Sequence, residues 1–148
     1  MDANDQEKKL AASRETDRAS KDTQAIRGLV VRWAQAVRDH DYDAILRDHD
    51  AELVMFDVPP PIRLRGIEAY RKSWDLFFTV HRRSDAFDIL ELEITAGADV
   101  AFAVATMRCE DTHDGAEKYM LDFRLTVGLR KVSDRWRVVH EHHSVPAD

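Results

Sequence analysis

The chain has too few cysteines, and apolar stretches that are too short, for several common protein classes. Its 148 residues include one cysteine, Cys109, which excludes an internal disulfide framework and favours a reducing compartment. No apolar run approaches the roughly 20 residues that a membrane-spanning helix needs. The first ten residues, MDANDQEKKL, are highly charged and lack the apolar core of a signal peptide. We therefore predict a cytoplasmic protein with no membrane partner.

Positive charge is also scarce in this sequence. The 22 basic and 28 acidic side chains give a formal net charge of -6. Proteins that bind nucleic acid usually present a basic face, so we expect no nucleic-acid partner. Hydrophobic residues make up 44% of the chain, and glycine and proline are few, which is typical of a globular protein. The length fits a single domain with one core.

The start of the chain differs from the rest in composition. Residues 1–20 contain one leucine and many charges, so they have little to bury. We predict that they form a charged N-terminal extension, which is either mobile or a solvated helix. Residues 21–148 are predicted to form the domain.

Three helices are predicted in the first half of the chain. Residues 22–39 carry apolar side chains at the i, i+3, i+4, i+7 spacing of one helical face. Asp41 can cap a short second helix that follows directly. Residues 67–80 form a third helix with an aromatic stripe that includes Tyr70 and Trp74.

The remaining segments are predicted to be strands. Residues 51–58 and 62–66 are separated by three prolines, which cannot donate to a strand ladder. Four further strands are predicted, at residues 85–94, 100–110, 118–132 and 135–145. Helices early in the chain and a strand meander late in it predict an α+β fold. The helices would cover one face of a curved antiparallel sheet.

Counting outward from the turns predicts which side chains share a face. If Asp114-Gly115 and Ser133-Asp134 are two-residue turns, Arg108 pairs with Leu121. The face predicted to meet the helices and line a pocket carries Thr106, Arg108, Leu121, Phe123, His140 and His142. The opposite face, predicted to meet a second copy of the chain, carries Asp122, Arg124, Glu141 and His143.

The last strand, RWRVVHEHHSV, carries much of the ionisable chemistry. If His140 and His142 face a pocket, they could act as general acid or base near neutral pH. Alternatively, both are partly buried histidines that hydrogen-bond to the backbone or to each other. A metal at this His-x-His pair would need further ligands, such as His113 or Asp57. No spacing typical of a zinc site is present, so we predict no metal.

Asp57 and Arg108 are the other candidates for chemistry. Asp57 ends a strand directly before three prolines, where a carboxylate could abstract a proton at the mouth of a pocket. It could instead fix the turn or pair with a nearby arginine. Arg108 could hold an anionic or carbonyl-bearing ligand, or it could form an ion pair with Glu110.

Two segments, FDVPPPIRLRG and LTVGLRKVSDRWRVVHEHHSV, resemble the SnoaL-like branch of the nuclear transport factor 2-like superfamily. The resemblance covers about residues 23–146. It implies a cone-shaped curved antiparallel sheet wrapped around three helices, an internal pocket, and a homodimer formed through the outer sheet face. Relatives include ketosteroid isomerases, polyketide cyclases and dehydratases, and also members that only bind ligands or hold assemblies together.

The resemblance leaves two functions open. One is cofactor-independent acid–base chemistry on a small hydrophobic carbonyl compound: an isomerisation, cyclisation or dehydration. His140, His142 and Asp57 would move protons, and Arg108 would stabilise oxyanion charge. The other is a non-catalytic homodimer that binds a ligand or serves in an assembly. In both, the residues expected to contact the ligand are Tyr42, Trp74, Thr106, Arg108, Leu121 and Phe123.

The same resemblance also argues against one specific reaction. Ketosteroid isomerases use an aspartate base, with a tyrosine and a protonated aspartic acid as oxyanion hole. The first helix of this chain offers only Trp33 on its apolar face, and no tyrosine. Steroid isomerisation by that set of residues is therefore not expected.

Overall fold

The described residues form three helices and six strands, in the order that the hydrophobic pattern predicts. This computed structural model describes residues 2–81, 86–113 and 117–147, with residues 112, 113 and 117 described by their backbone alone. The helices are α1 (Ala3–Arg38), α2 (Tyr42–Leu46) and α3 (Ile67–Val80). The strands are β1 (His49–Phe56), β2 (Leu64–Arg65), β3 (Phe87–Ala96), β4 (Val100–His113), β5 (Glu117–Val132) and β6 (Arg135–Ser144).

Helix α1 begins at Ala3 instead of near Asp22, so the charged extension is the first half of one long helix. The Asp2 side chain caps it by accepting a hydrogen bond from the Asn4 N–H at 3.3 Å. Its first turns are exposed on all sides, so the sequence there has no apolar periodicity that would predict a helix. Pairs such as Glu15–Arg18, three residues apart, stabilise such a solvated helix. None of the described helices is long and apolar enough to cross a membrane.

Asp22 of α1 forms polar contacts with the hairpin of β5 and β6 and so links the helix to the sheet. Its carboxylate is only 7% exposed. It accepts hydrogen bonds from Trp136 Nε1 at 3.0 Å and from Arg18 at 2.7 Å, and it lies 2.8 Å from Lys131 Nζ. Burial alone would raise the pKa of Asp22, but the hydrogen bonds from Lys131, Trp136 and Arg18 outweigh it and lower that pKa. The carboxylate is therefore a charged, satisfied anchor.

Substituting this anchor should destabilise the fold. We expect Asp22→Ala to lower the free energy of unfolding by about 2–4 kcal/mol, because three donors lose their shared acceptor. Asp17→Ala, in an exposed position of the same helix, should change it by less than about 0.5 kcal/mol. Urea unfolding followed by circular dichroism measures both. Equal midpoints for the two variants would show that Asp22 is not an anchor.

The sheet is curved and unclosed, and its strand order is β2-β1-β6-β5-β4-β3. Neighbouring strands run antiparallel except β1 and β6, which are parallel. The predicted curved antiparallel sheet thus contains one parallel pair, because β1 and β6 are joined through the rest of the chain and not by a hairpin. Helix α1 packs against β3, and α3 packs against β1.

The register of β4 on β5 differs from prediction by one residue. Cys109, and not Arg108, pairs with Leu121. The predicted Asp114-Gly115 turn lies outside the described residues, but the pairing of His113 with Glu117 leaves three residues between the strands. Because side chains alternate along a strand, a one-residue shift turns the whole of β4 over. Its inner face therefore carries Ala101, Ala103, Ala105, Met107 and Cys109, all buried.

A β-bulge in β6 turns over the end of that strand. The Ser133-Asp134 turn has the positive φ angles of a tight hairpin turn and sets Leu129 opposite Val138, as predicted. The next pair is Gly128 with His140, so Val139 has no partner on β5. One extra residue reverses every side chain beyond it. Before the bulge the buried residues are Trp136 and Val138, and beyond it they are Glu141 and His143.

Candidate active-site cavity

An apolar cavity of about 420 Å³ lies between the inner face of the sheet and helix α3. Clefts of this size hold small organic ligands. Its apolar lining residues are Met55, Val58, Pro59, Trp74, Leu76, Phe77, Val80, Phe87, Leu121, Phe123 and Val145. Its polar lining residues are Asp57, Ser73, His81, Cys109, Asp111 and His143. The lining therefore combines aromatic walls with a few ionisable groups.

Glu141, just behind this lining, holds a network of buried polar groups together. Its side chain is 1% exposed, although it is a carboxylate. His49 Nε2 lies 3.2 Å from one carboxylate oxygen, and His143 Nε2 lies 3.6 Å from the other. The Tyr70 hydroxyl accepts a hydrogen bond from Trp33 Nε1 at 3.0 Å and lies close enough to Glu141 for that charge to act on it. Polar groups from four elements thus gather, directly or through Tyr70, around one carboxylate.

The network keeps Glu141 charged and Tyr70 neutral. Burial alone would raise the pKa of Glu141, but the attraction of His49 and the close contacts of His143 and His49 with the carboxylate hold that pKa well below its usual range. Burial and the neighbouring Glu141 charge raise the pKa of Tyr70 well above its usual range. The Tyr70 hydroxyl therefore stays protonated beside a fixed negative charge.

His143 connects this network to the cavity. Its ring stacks on Phe123, with ring centres 5.8 Å apart and planes 9° apart, and it meets the edges of Trp33 and Trp74. The residue is 7% exposed, and among the described residues its Nε2 has no hydrogen-bond partner within 3.5 Å. A buried imidazole that lines a cavity and is held by a carboxylate is a suitable proton-transfer group.

Further ionisable groups line the cavity. Asp57 follows β1, and its carboxylate accepts a hydrogen bond from the Val58 N–H at 2.8 Å. His81, at the end of α3, lies 4.0 Å from Asp111 and packs on Phe77. Burial, with a smaller contribution from Asp111, raises the pKa of Cys109 to about 12. The Cys109 thiol is therefore protonated near neutral pH and unsuited to nucleophilic attack.

Comparison with known proteins identifies the family. A model of the SnoaL-like domain matches residues 26–148, most of the chain. The chain belongs to the SnoaL-like family. No curated protein matches it.

Solved structures agree with this SnoaL-like assignment. A nuclear transport factor 2-like protein of unknown function from Pseudomonas putida KT2440 is 30% identical, with a TM-score of 0.72 over 93% of this chain and 89% of that one. A ketosteroid isomerase-like protein from Erwinia carotovora is 16% identical, with a TM-score of 0.69 over 84% and 96%. A nuclear transport factor 2-like superfamily protein from Salmonella enterica is 16% identical, with a TM-score of 0.71 over 87% and 94%. The last two show the fold alone.

Within this SnoaL-like domain, some of the predicted ligand contacts line the cavity and others do not. Trp74, Leu121 and Phe123 line it, and so does Asp57, which was predicted as a proton-transfer group. Thr106, Arg108 and Tyr42 do not line it. Thr106 and Arg108 lie on the outer sheet face because of the shifted register of β4, and Arg108 forms an ion pair with Asp122 at 2.7 Å. Tyr42 lies on α2 outside the lining, where its hydroxyl hydrogen-bonds to Asp75.

The side chains of β6 beyond the bulge lie on the faces opposite to those predicted. His140 and His142 were expected to face the pocket, but the bulge at Val139 puts them on the outer face. Glu141 and His143 were expected at a dimer interface, but both are buried inside the domain. Asp122 and Arg124 do lie exposed on the outer face, where the interface was predicted.

The sequence contained a signal for this reversal. Two adjacent apolar residues, Val138 and Val139, interrupt the alternation of β6, as a bulge does. The partners of Glu141 carried no such signal. His49 lies at the start of β1, and Tyr70 belongs to an apolar helical stripe, so nothing in their local sequence indicates a shared carboxylate.

Proposed function

We propose that this SnoaL-like protein binds a small, mainly apolar molecule in the cavity and acts on its carbonyl or hydroxyl group by cofactor-independent acid–base chemistry. His143 would transfer the proton. The observation that carries the proposal is a buried imidazole that lines an apolar cavity and lies 3.6 Å from a buried carboxylate. The reaction would be an isomerisation, cyclisation or dehydration.

The proposed chemistry depends on the two sides of the His143 ring. Nε2 faces Glu141, so Nδ1 is the nitrogen left for a ligand. When Nδ1 accepts a proton from the ligand, the ring becomes positive beside a carboxylate that stays charged. That carboxylate stabilises the positive ring and fixes its orientation, as the carboxylate of a hydrolase triad does. Both Glu141 and His143 are buried, so little water screens the attraction between the carboxylate and the positive ring.

A second proton-transfer group would come from the other ionisable lining residues. Isomerisation and dehydration both remove a proton at one atom and supply one at another. Asp57, which the sequence analysis already proposed for proton abstraction, is the candidate for this second group. It is half-buried and lines the cavity beside Pro59. The apolar walls of Trp74, Phe77 and Phe123 would hold the ring or chain of the ligand between these groups.

This scheme differs from that of ketosteroid isomerases. There, an oxyanion is bound by a tyrosine and a carboxylic acid that stays protonated. Here the pKa of the interior carboxylate, Glu141, is lowered, so it cannot donate a proton to an oxyanion. A positively charged His143 would stabilise oxyanion charge instead.

We also propose that two copies associate through the outer sheet face. Phe102 and Val104 are 50% and 37% exposed on that face, which further along β4 also carries the Arg108–Asp122 ion pair. An apolar patch beside charged residues is typical of an association surface. The non-catalytic alternative, a dimer that only binds its ligand, uses the same cavity and face.

Blocking the cavity tests the binding part of the proposal. We expect neutral two-ring ketones and alcohols to bind and to change the fluorescence of Trp74. Leu121→Trp fills the cavity from β5 and should weaken binding at least about tenfold. Leu10→Trp adds the same ring to the exposed first half of α1, outside the cavity and the proposed dimer surface, and should leave affinity unchanged. Failure of every compound at millimolar concentration, or equal effects of the two substitutions, would contradict the proposal.

A further inference from the structure

His140 and His142 make no contact with the cavity, yet the fold places them together. Both follow the bulge in β6, two residues apart, so they share the outer face of the sheet. Their ring centres are 6.4 Å apart. Phe56 of β1 packs edge-on against both rings, at 4.9 Å and 5.3 Å between ring centres. The two imidazoles are thus held side by side.

The ring of His140 is oriented by the backbone. Its Nδ1 lies 2.7 Å from the Val54 carbonyl oxygen, which can only accept a hydrogen bond. Nδ1 therefore carries a proton, and in the neutral ring Nε2 carries the lone pair. A ring N–H given to a backbone carbonyl is the usual arrangement behind a histidine that ligates a metal. Gly128, opposite on β5, leaves room beside it, since a Cβ there would lie 3.3 Å from the Cβ of His140.

The distance between the rings of His140 and His142 suits the binding of one metal ion by both. A metal ion at the usual Zn–N distance lies about 3 Å from the centre of each imidazole that binds it. Ring centres 6.4 Å apart can therefore reach one ion after a small rotation. His142 is exposed and can make that rotation. In the described part of the chain no third His, Cys, Asp or Glu joins them, so each chain supplies two ligands.

We propose that His140 and His142 form a site for a borderline divalent metal ion such as Zn²⁺ or Ni²⁺, with water completing the coordination. Imidazole nitrogens suit these ions, whereas Mg²⁺ and Ca²⁺ prefer oxygen ligands. The site lies on the opposite side of the sheet from the cavity. It is part of the outer face through which we propose that two copies associate, because His140 and His142 lie across β5 from Phe102 and Val104. In a dimer, groups of the second copy could replace some of the water ligands. The site is independent of the proposed reaction.

Calorimetric titration of the tag-free, chelator-treated full-length chain tests the site. We expect saturable binding of one Zn²⁺ or Ni²⁺ per chain, and none of Mg²⁺. His142→Gln should weaken binding by at least the roughly 10- to 100-fold that loss of an outer-shell partner costs. His142 is exposed, so the variant should fold normally.

His40→Gln is the matched control, because it removes an exposed histidine that stacks on Phe78 at 4.0 Å, away from this face. It should leave metal affinity unchanged. The proposal is overturned if the wild-type chain shows no saturable binding. It is also overturned if His142→Gln binds as tightly as wild type, or if His40→Gln weakens binding equally.

Discussion

Glu141→Leu should lower the free energy of unfolding by about 3–5 kcal/mol, the largest effect we expect from a single substitution in this protein. The side chain is 1% exposed, and His49, Tyr70 and His143 all direct a polar atom at its carboxylate. Leucine has a similar bulk but accepts no hydrogen bond. Three buried polar groups would then lose their common partner, and each such loss costs about 1–3 kcal/mol. Urea unfolding at pH 7 measures the difference.

Two further variants separate the contribution of the Glu141 charge from that of the shape of its side chain. Glu141→Gln keeps the shape and one carbonyl oxygen but removes the charge, so we expect an intermediate loss of about 1–3 kcal/mol. Glu91→Gln, in an exposed position of β3, should change stability by less than about 0.5 kcal/mol. If Glu141→Leu proves as stable as the Glu91 control, the network does not stabilise the fold.

The pH dependence of these variants follows from the lowered pKa of Glu141. The folded state binds the Glu141 proton less readily than the unfolded state does. Its contribution to stability is therefore fully present above the usual glutamate pKa of about 4.3 and declines as the pH falls toward the folded-state value. The stability difference between wild type and Glu141→Gln should be constant near neutral pH and shrink below about pH 4.3.

His143→Gln should reduce turnover at least about 100-fold on a compound that the wild-type protein converts. Glutamine can fill part of the space beside Phe123, but it cannot accept and return a proton near neutral pH. Ligand affinity should change little, because the apolar walls remain. The measurement is kcat from product formation, together with affinity from Trp fluorescence, on the cavity ligands found by the binding experiment.

The control for this substitution is on the same strand. His142→Gln removes a histidine from the outer face and should leave kcat unchanged. Equal losses in the two variants would contradict the role of His143. Ligands that bind the wild-type chain but are never converted would favour the non-catalytic alternative, in which His143 only hydrogen-bonds to the ligand.

Most secondary structure was predictable from local patterns. Helix α3 has the bounds that its aromatic stripe indicated, and Asp41 caps α2 by accepting from the Ala44 N–H at 3.1 Å. The family resemblance, carried by one segment in β1 and β2 and another in β5 and β6, is confirmed by the match to the SnoaL-like domain. Helix α1 was underestimated because its first half buries nothing, and a periodicity rule detects only helices with a buried face.

The sequence alone therefore determined the element order, the α+β class and the family, because apolar periodicity and turn residues act over a few neighbouring positions. Tertiary structure decided which ionisable residues face the cavity. Two single-residue differences, in the connection after His113 and at Val139, reversed the faces of β4 and of the end of β6. Side chains alternate with a period of two, so a miscount of one residue exchanges inside for outside. His49 and Tyr70 joined Glu141 only because the fold brings β1, α3 and β6 together around one buried charge.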